Sequence, residues 1–236
     1  MSRTSVILIH GYLGAPAGLQ TIADSLSQHF DVHIMPVPPF ANAPHLDKYT
    51  PEQYANYVQK YIISQKLVKP VLVGHSMGSI IAAATAQYYP DIISDSLVLM
   101  SPISVRPPKP IAMLQPLVTI LPKHLVSWIT TNYLIVPRSK YREILALTKK
   151  CNSWSIPRTD LIGATKFSAN YCIGDFKFNK RTLLLAGSSD RLISHRQTTA
   201  LAKHIHADSE FLPESGHLIN YECPDAVTDA ILRFLS

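Results

Sequence analysis

Three side chains of this sequence could together carry out nucleophilic attack on a carbonyl carbon. Ser76 is the centre of Gly74-His75-Ser76-Met77-Gly78 and directly follows the apolar run Val71-Leu72-Val73. In a G-x-S-x-G sequence between a strand and a helix, the glycines allow a sharp turn that lifts a serine hydroxyl above the end of a sheet. A serine hydroxyl is a weak nucleophile until a base takes its proton, so an imidazole oriented by a carboxylate is needed. His217, in Ser215-Gly216-His217, follows the last strand-like run, and Asp190, in Ala186-Gly187-Ser188-Ser189-Asp190, follows an earlier one. The chain order serine, acid, histidine is one of the known orders for these three groups. The carbonyl oxygen would gain negative charge, and backbone N–H groups in His10-Gly11-Tyr12-Leu13-Gly14, with that of Met77, could meet it.

Elements that could position these residues follow from the apolar pattern. Strand-like runs occur at Ser5–Ile9, Val32–Met35, Pro70–Val73, Leu97–Met100, Thr182–Ala186 and Glu210–Leu212. Helical spacing appears in Leu19, Ile22, Ala23 and Leu26; in Tyr54, Tyr57, Val58, Tyr61 and Ile62; after Ser76; from Ser194 to His206; and in Ala226, Val227, Ala230, Ile231 and Phe234. Short apolar strands alternating with amphipathic helices imply parallel pairing through right-handed crossovers, hence an α/β sheet covered on both faces. The stretch from about Ile103 to Tyr171 departs from this alternation. It opens with Arg106-Pro107-Pro108-Lys109-Pro110, a stiff extended connector, and then shows helical patterns without a convincing strand. An all-helical insertion between two strands reads as a cap over the strand ends, where open α/β sheets bind ligands. The division expected is a first core part at 1–102, a helical cap at 103–174 and a second core part at 175–236.

Composition narrows the class. A chain of 236 residues with 47% apolar and 16% charged side chains is long enough for one large domain and buries roughly 70% of its unfolded surface. The apolar run Val6–Ile9 is too short for a signal-peptide core, and no run reaches the length of a membrane-spanning helix. Three cysteines, Cys151, Cys172 and Cys223, lack C-x-x-C spacing and fit free thiols in a reducing compartment. A soluble cytoplasmic protein is the expectation. Of the net charge of +6, residues 103–177 carry +8 (11 Lys and Arg against 3 Asp and Glu) and the remainder −2 (11 against 13). The positive charge is confined to the expected cap and comes without a nucleic-acid motif, which argues against nucleic-acid binding.

With four motifs in place, the chain resembles the α/β-hydrolase superfamily in its capped, esterase- and lipase-like branch. The likeness rests on H-G-x-x-G at His10, G-H-S-M-G at Gly74, the strand-G-x-x-D turn ending at Asp190, and G-H-x-x-x-x-E-x-P from Gly216 to Pro224. The resemblance implies Ser76 as nucleophile, His217 as base, Asp190 as its orienting acid, and the Tyr12 and Met77 amides as the oxyanion hole. It further implies about six mostly parallel strands, no cofactor and no metal, and a small-molecule ester or thioester as substrate. Two departures stand out. Ser79 takes the place of a further glycine, and Lys180-Arg181 the place of a proline before the acid's strand. The same machinery in relatives also serves thioesters, lactones, carbon–carbon bonds and elimination, and a basic cap is compatible with an anionic substrate such as an acyl-CoA or a menaquinone-pathway acid. A neutral ester is the default. A reading from another class is a hydrolase-fold module that binds a ligand without turnover.

Plainer readings accompany each residue. Ser76 could be a tight-turn serine, His217 a helix cap, and Asp190 a turn residue, with Asp175 or Asp208 as reserve acids. His10 reads as a brace of the oxyanion loop and His75 as packing beside the elbow. His204 and His206 are two apart on a helix and point to different faces, which argues against a metal site. Trp128 and Trp154 could line an acyl pocket or pack the cap's own core. Arg138, Arg142 and Lys149 share a helical face that reads as solvated, with membrane contact as the alternative.

Overall fold

A computed structural model describes residues 3–104 and 156–236, together with positions 120–122, 125, 128, 132, 134, 142–144 and 146. The strands are β1 (Ser5–Ile9), β2 (Asp31–Met35), β3 (Val71–His75), β4 (Ser96–Met100), β5 (Arg181–Gly187) and β6 (Asp208–Leu212). They form one sheet in the order β2-β1-β3-β4-β5-β6, and each neighbouring pair is parallel. This is the parallel α/β sheet of about six strands expected from the sequence. The helices that concern the site are α1 (Gln20–Leu26), α2 (Pro51–Ser64), α3 (Met77–Tyr88), α4 (Arg158–Asn170), α5 (His195–Ile205), α6 (Ile219–Glu222) and α7 (Pro224–Leu235).

The two-residue period of the strands divides the core. Ile7, Ile9, Leu72, Leu97, Leu99 and Leu184 face a cluster completed by α2, α3, α4 and α5. Their neighbours Val6, Leu8, Val71, Val73, Val98 and Leu185 face a second cluster completed by α1 and α7. Alternate side chains of a strand point to opposite faces, so a strand covered on both must be apolar throughout. Central β3 is buried at all five positions, while edge strands β2 and β6 begin exposed. The helix after the elbow is also enclosed, with every residue from Met77 to Ala86 buried. Local signals start the other helices: Thr50 accepts from the Gln53 amide ahead of Pro51 in α2, and Ser194 and Gln197 form a reciprocal capping box at α5.

The strand order reverses direction between β1 and β3. After β1 the chain moves outward to β2, then returns past β1 to lay down β3. Open α/β sheets bind ligands at the carboxyl edge beside such a reversal, because loops leaving to opposite faces open a crevice there. His10 and Ser76 follow the two strands that flank it. None of the described helices is long and apolar enough to cross a membrane.

Helix α4 docks on the core through Phe167, which is fully buried with its ring centroid 4.5 Å from that of Tyr54 and 5.5 Å from that of Tyr171. Phe167→Ala should lower unfolding free energy by about 3–5 kcal/mol in urea titrations. Val68→Ala, at a side chain 83% exposed, should stay within about 0.5 kcal/mol of the parent. Equal effects of the two would contradict this packing.

Candidate active site

Because all six strands run the same way, the residues after β1, β3, β5 and β6 emerge at one edge of the sheet. Ser76 leaves β3 with φ 53° and ψ −115°, a backbone state that costs a non-glycine residue of order 1–3 kcal/mol. Its surroundings hold it there. The Ser76 N–H donates to the Met100 carbonyl at 2.9 Å, the Ser79 N–H donates to the Ser76 carbonyl at 2.9 Å, and the Ser79 hydroxyl donates to that same carbonyl. The two glycines are required by close approach. A Cβ on Gly74 would fall within 3.0 Å of Gly78 backbone, and one on Gly78 within 3.0 Å of the Ile9 and His10 carbonyls. The elbow is thus pressed against the end of β1, and Met77 opens α3 with an amide that has no intrahelical acceptor.

His217 and Asp190 complete a hydrogen-bonded chain with Ser76. The Nε2 of His217 is 2.9 Å from Ser76 Oγ, and its Nδ1 is 2.8 Å from Asp190 Oδ2. An ionised carboxylate only accepts, so Nδ1 carries the proton and Nε2 presents its lone pair to the serine hydroxyl. Ser76 is 8% and His217 2% exposed. Burial pushes the Asp190 carboxyl up, but the His217 charge and hydrogen bond, with the amides of Ile193 and Leu192, outweigh it and hold the group below the usual carboxylate range. Those amides donate to Oδ1 at 3.0 and 2.7 Å, which leaves Oδ2 for the imidazole.

Backbone contacts fix the two loops to each other. Ser188 N–H donates to the Leu212 carbonyl and Ser189 N–H to the Ser215 carbonyl, each at 2.8 Å. The Gly216 N–H donates to the buried Glu222 carboxylate. The carbonyl of His217 itself accepts from Ser101 Oγ at 2.8 Å and from His75 Nε2 at 3.0 Å. A carbonyl cannot donate, so the His75 proton sits on Nε2. Burial, with the nearby His217 charge, pulls the His75 imidazole down to about 3.

A third loop follows β1. His10 Nδ1–H donates to the Gly11 carbonyl and Nε2 accepts the Val37 N–H, both at 3.0 Å. This arrangement requires a neutral ring, and burial lowers the His10 imidazole to about 4. The Tyr12 hydroxyl meets Thr165 Oγ1 at 2.7 Å, and Thr165 Oγ1 donates to the Leu161 carbonyl at 2.7 Å. Tyr12 is therefore the donor to Thr165. Its ring packs edge-on against Phe40 at 5.4 Å, and burial pushes its phenol up to about 12. The backbone N–H of Tyr12 makes no hydrogen bond to a backbone carbonyl among the described residues.

The structure therefore brings together Ser76, Asp190 and His217 and sets the Tyr12 and Met77 segments beside them. The reserve acids lie elsewhere: Asp175 accepts the Cys172 N–H at 2.9 Å, and Asp208 begins β6 at the opposite edge of the sheet. Trp128 is 51% exposed and its carbonyl accepts from Asn132 Nδ2. Trp154 lies outside the described residues, as do Arg138 and Lys149; Arg142 is exposed. Four supporting roles escaped sequence reasoning: His75 and Ser101 on the His217 carbonyl, Glu222 on the Gly216 amide, and Thr165 on Tyr12. Glu222 carried a signal, since it belongs to the quoted G-H-x-x-x-x-E-x-P stretch. Thr165 carried none. Among the described residues no three His, Cys, Asp or Glu side chains cluster as metal ligands.

Comparison with known proteins agrees with this architecture. The family model of the "Alpha/beta hydrolase family" matches residues 6–230. The chain is 23% identical to "Uncharacterized hydrolase YugF" of Bacillus subtilis (strain 168) over 253 aligned positions, covering 99% of this chain and 90% of that protein. A thermophilic esterase from Thermogutta terrifontis superposes with a TM-score of 0.83 at 22% identity, over 99% of this chain and 90% of the other. The enol-lactonase from Burkholderia xenovorans LB400 does so with a TM-score of 0.83 at 21% identity, over 100% and 92%.

The buried histidines make folding depend on pH. In the unfolded chain each imidazole takes a proton near 6.5, whereas in the folded protein His10 does so only at about 4 and His75 at about 3. Between those values the unfolded state binds more protons. Their contribution is whole above pH 6.5 and falls as pH drops toward 4, by about 2 kcal/mol for each histidine at pH 5. Asp190 acts in a lower window: its depressed carboxyl stabilises the fold above the unfolded carboxylate value and loses that effect only below it. Urea midpoints should therefore fall clearly from pH 7.5 to pH 5, and a flat profile would contradict the neutral, buried state of both rings.

Proposed function

Given that the chain belongs to the alpha/beta hydrolase family, we propose that it is a serine hydrolase cleaving carboxylic esters through an acyl-enzyme. The observation that carries this reading is the unbroken path from Asp190 through His217 to Ser76, with contacts of 2.8 and 2.9 Å. Ser76 Oγ attacks the ester carbonyl carbon while His217 Nε2 takes its proton. Asp190 holds the ring with Nδ1 protonated and stabilises the imidazolium that forms. The carbonyl electron pair moves onto oxygen, which the Tyr12 and Met77 amides receive. A donor of this kind contributes roughly 2.7–4 kcal/mol to the transition state, and the α3 N-terminus adds its partial positive charge.

Collapse of the tetrahedral intermediate breaks the bond to the alcohol oxygen, and the departing alkoxide takes the proton from Nε2. Water then attacks the acyl carbon and gives its proton to the same nitrogen. The second collapse releases the acid and returns the proton to Ser76. The contacts that join Ser76, His217 and Asp190 support this sequence of steps.

Ser76→Ala should lower turnover of p-nitrophenyl esters by roughly 10⁶ and abolish labelling by a fluorophosphonate probe. Undiminished hydrolysis in that variant would sink the proposal.

A further inference from the structure

Among the described residues, two buried positions other than glycine have a positive φ: Ser76 at 53° and Ser101 at 44°. The others of this kind, such as Leu13, Lys66 and Glu214, stand at partly or fully exposed positions. Strain at Ser76 belongs to the elbow. Strain at Ser101, the first residue after β4, has no part in the steps above. Glycine adopts such a backbone without penalty, so what serine adds at this position is its hydroxyl. A buried strained residue that its surroundings hold in place points to function.

One peptide unit and one side chain tie Ser101 to the three segments that carry Ser76, Asp190 and His217. In the peptide joining Met100 to Ser101, the carbonyl accepts the Ser76 N–H at 2.9 Å and the N–H donates to the Leu185 carbonyl at 2.7 Å. Leu185 lies in β5, whose end leads to Asp190. The Ser101 hydroxyl donates to the His217 carbonyl at 2.8 Å, and the residue is fully buried. His75 Nε2, at the end of β3, is a second donor to that carbonyl at 3.0 Å. A carbonyl held by one donor can pivot about it. Two donors from neighbouring strands fix its direction, and with it the backbone from which the His217 ring projects.

We propose that Ser101 is a positioning residue whose hydroxyl sets where the His217 imidazole stands relative to Ser76 Oγ. The inference rests on the serine-hydrolase reading of Ser76, His217 and Asp190. No proton passes through Ser101; its own stays on Oγ. The hydroxyl acts on the distance across which His217 Nε2 takes the Ser76 proton and gives it to the departing alcohol, a distance to which proton transfer is steeply sensitive. His217 is the base in acylation and again in deacylation, so a misplaced ring slows both steps in proportion. For an ester that passes through an acyl-enzyme, KM depends on the ratio of those two rates. It therefore stays in place while kcat falls.

The test compares Ser101→Ala with Ser101→Gly in the hydrolysis of p-nitrophenyl acetate. Both variants lack the hydroxyl, but the first keeps the backbone strain and the second relieves it. Sites are counted by labelling to completion with a fluorophosphonate probe, so kcat refers to folded, reactive protein alone. Each variant should show kcat lowered about tenfold, the size of one net hydrogen bond, with KM within about twofold of the wild type. If Ser101→Ala does not fold, Ser101→Gly decides alone, because its backbone takes the required φ freely. A wild-type kcat in Ser101→Gly overturns the inference, since the position then needs only its backbone. A loss carried by KM at unchanged kcat overturns it as well. Absence of any Ser76-dependent turnover in the wild-type protein would instead remove the serine-hydrolase reading itself.

Discussion

A serine at φ 53° does not stay there by its own preference. It stays because the chain before and after it is pinned: its amide to Met100, its carbonyl to Ser79, and the Gly78 backbone against the carbonyls that end β1. The crossing of β3 and α3 over the end of β1 leaves space for hydrogen alone at two positions. Backbone strain of this kind persists only where the surrounding packing over-determines it. The fully apolar β3 and the wholly buried first turns of α3 provide that packing. The sheet's interior and the placing of the serine hydroxyl are therefore one construction, and weakening the former relaxes the latter.

The groups around the elbow show how a polar site is kept in order inside an apolar frame. Each buried imidazole has its tautomer set by a backbone partner: His10 between a carbonyl and an amide, His75 against the His217 carbonyl. Neither is free to act as a competing base. The His217 carbonyl takes two donors, which leaves the backbone of that residue anchored while its ring spans Asp190 and Ser76. Only the ring aligned by a carboxylate retains an open lone pair toward a hydroxyl. The distinction among three neighbouring histidines comes from their partners, not from their residue type.

Much of this architecture is legible in the sequence because burial on both faces leaves a plain mark. The run Ser5–Ile9 coincides with β1, Leu97–Met100 and Thr182–Ala186 lie within β4 and β5, and Pro70–Val73 overlaps β3, which starts at Val71 and continues to His75. At β6 the pattern is weaker. The strand begins at Asp208, two residues before the apolar run at Glu210–Leu212, because an edge strand can expose polar side chains while its backbone still pairs. The serine, acid and histidine positions were readable from local turn motifs. Two departures find local explanations: the Ser79 hydroxyl sits on the Ser76 carbonyl, and Lys180 Nζ reaches both the Pro90 carbonyl and Asp95 at 2.9 Å, tying down the start of β5. What the sequence could not reveal are contacts between distant segments with no motif of their own, such as Ser101 on His217 and Thr165 on Tyr12, which are separated by 116 and 153 positions.

The bond between Tyr12 and Thr165 carries a mechanical meaning. One end lies in the loop that follows β1, and the other in α4, a helix of the segment between β4 and β5 whose Phe167 is wedged into the core. A sideways shift of α4 by a fraction of a hydrogen-bond length pulls on the Tyr12 ring and, through it, on the neighbouring amide. Two segments 153 positions apart in the chain thus move as one, and the placing of the loop after β1 is inherited in part from a helix laid down much later.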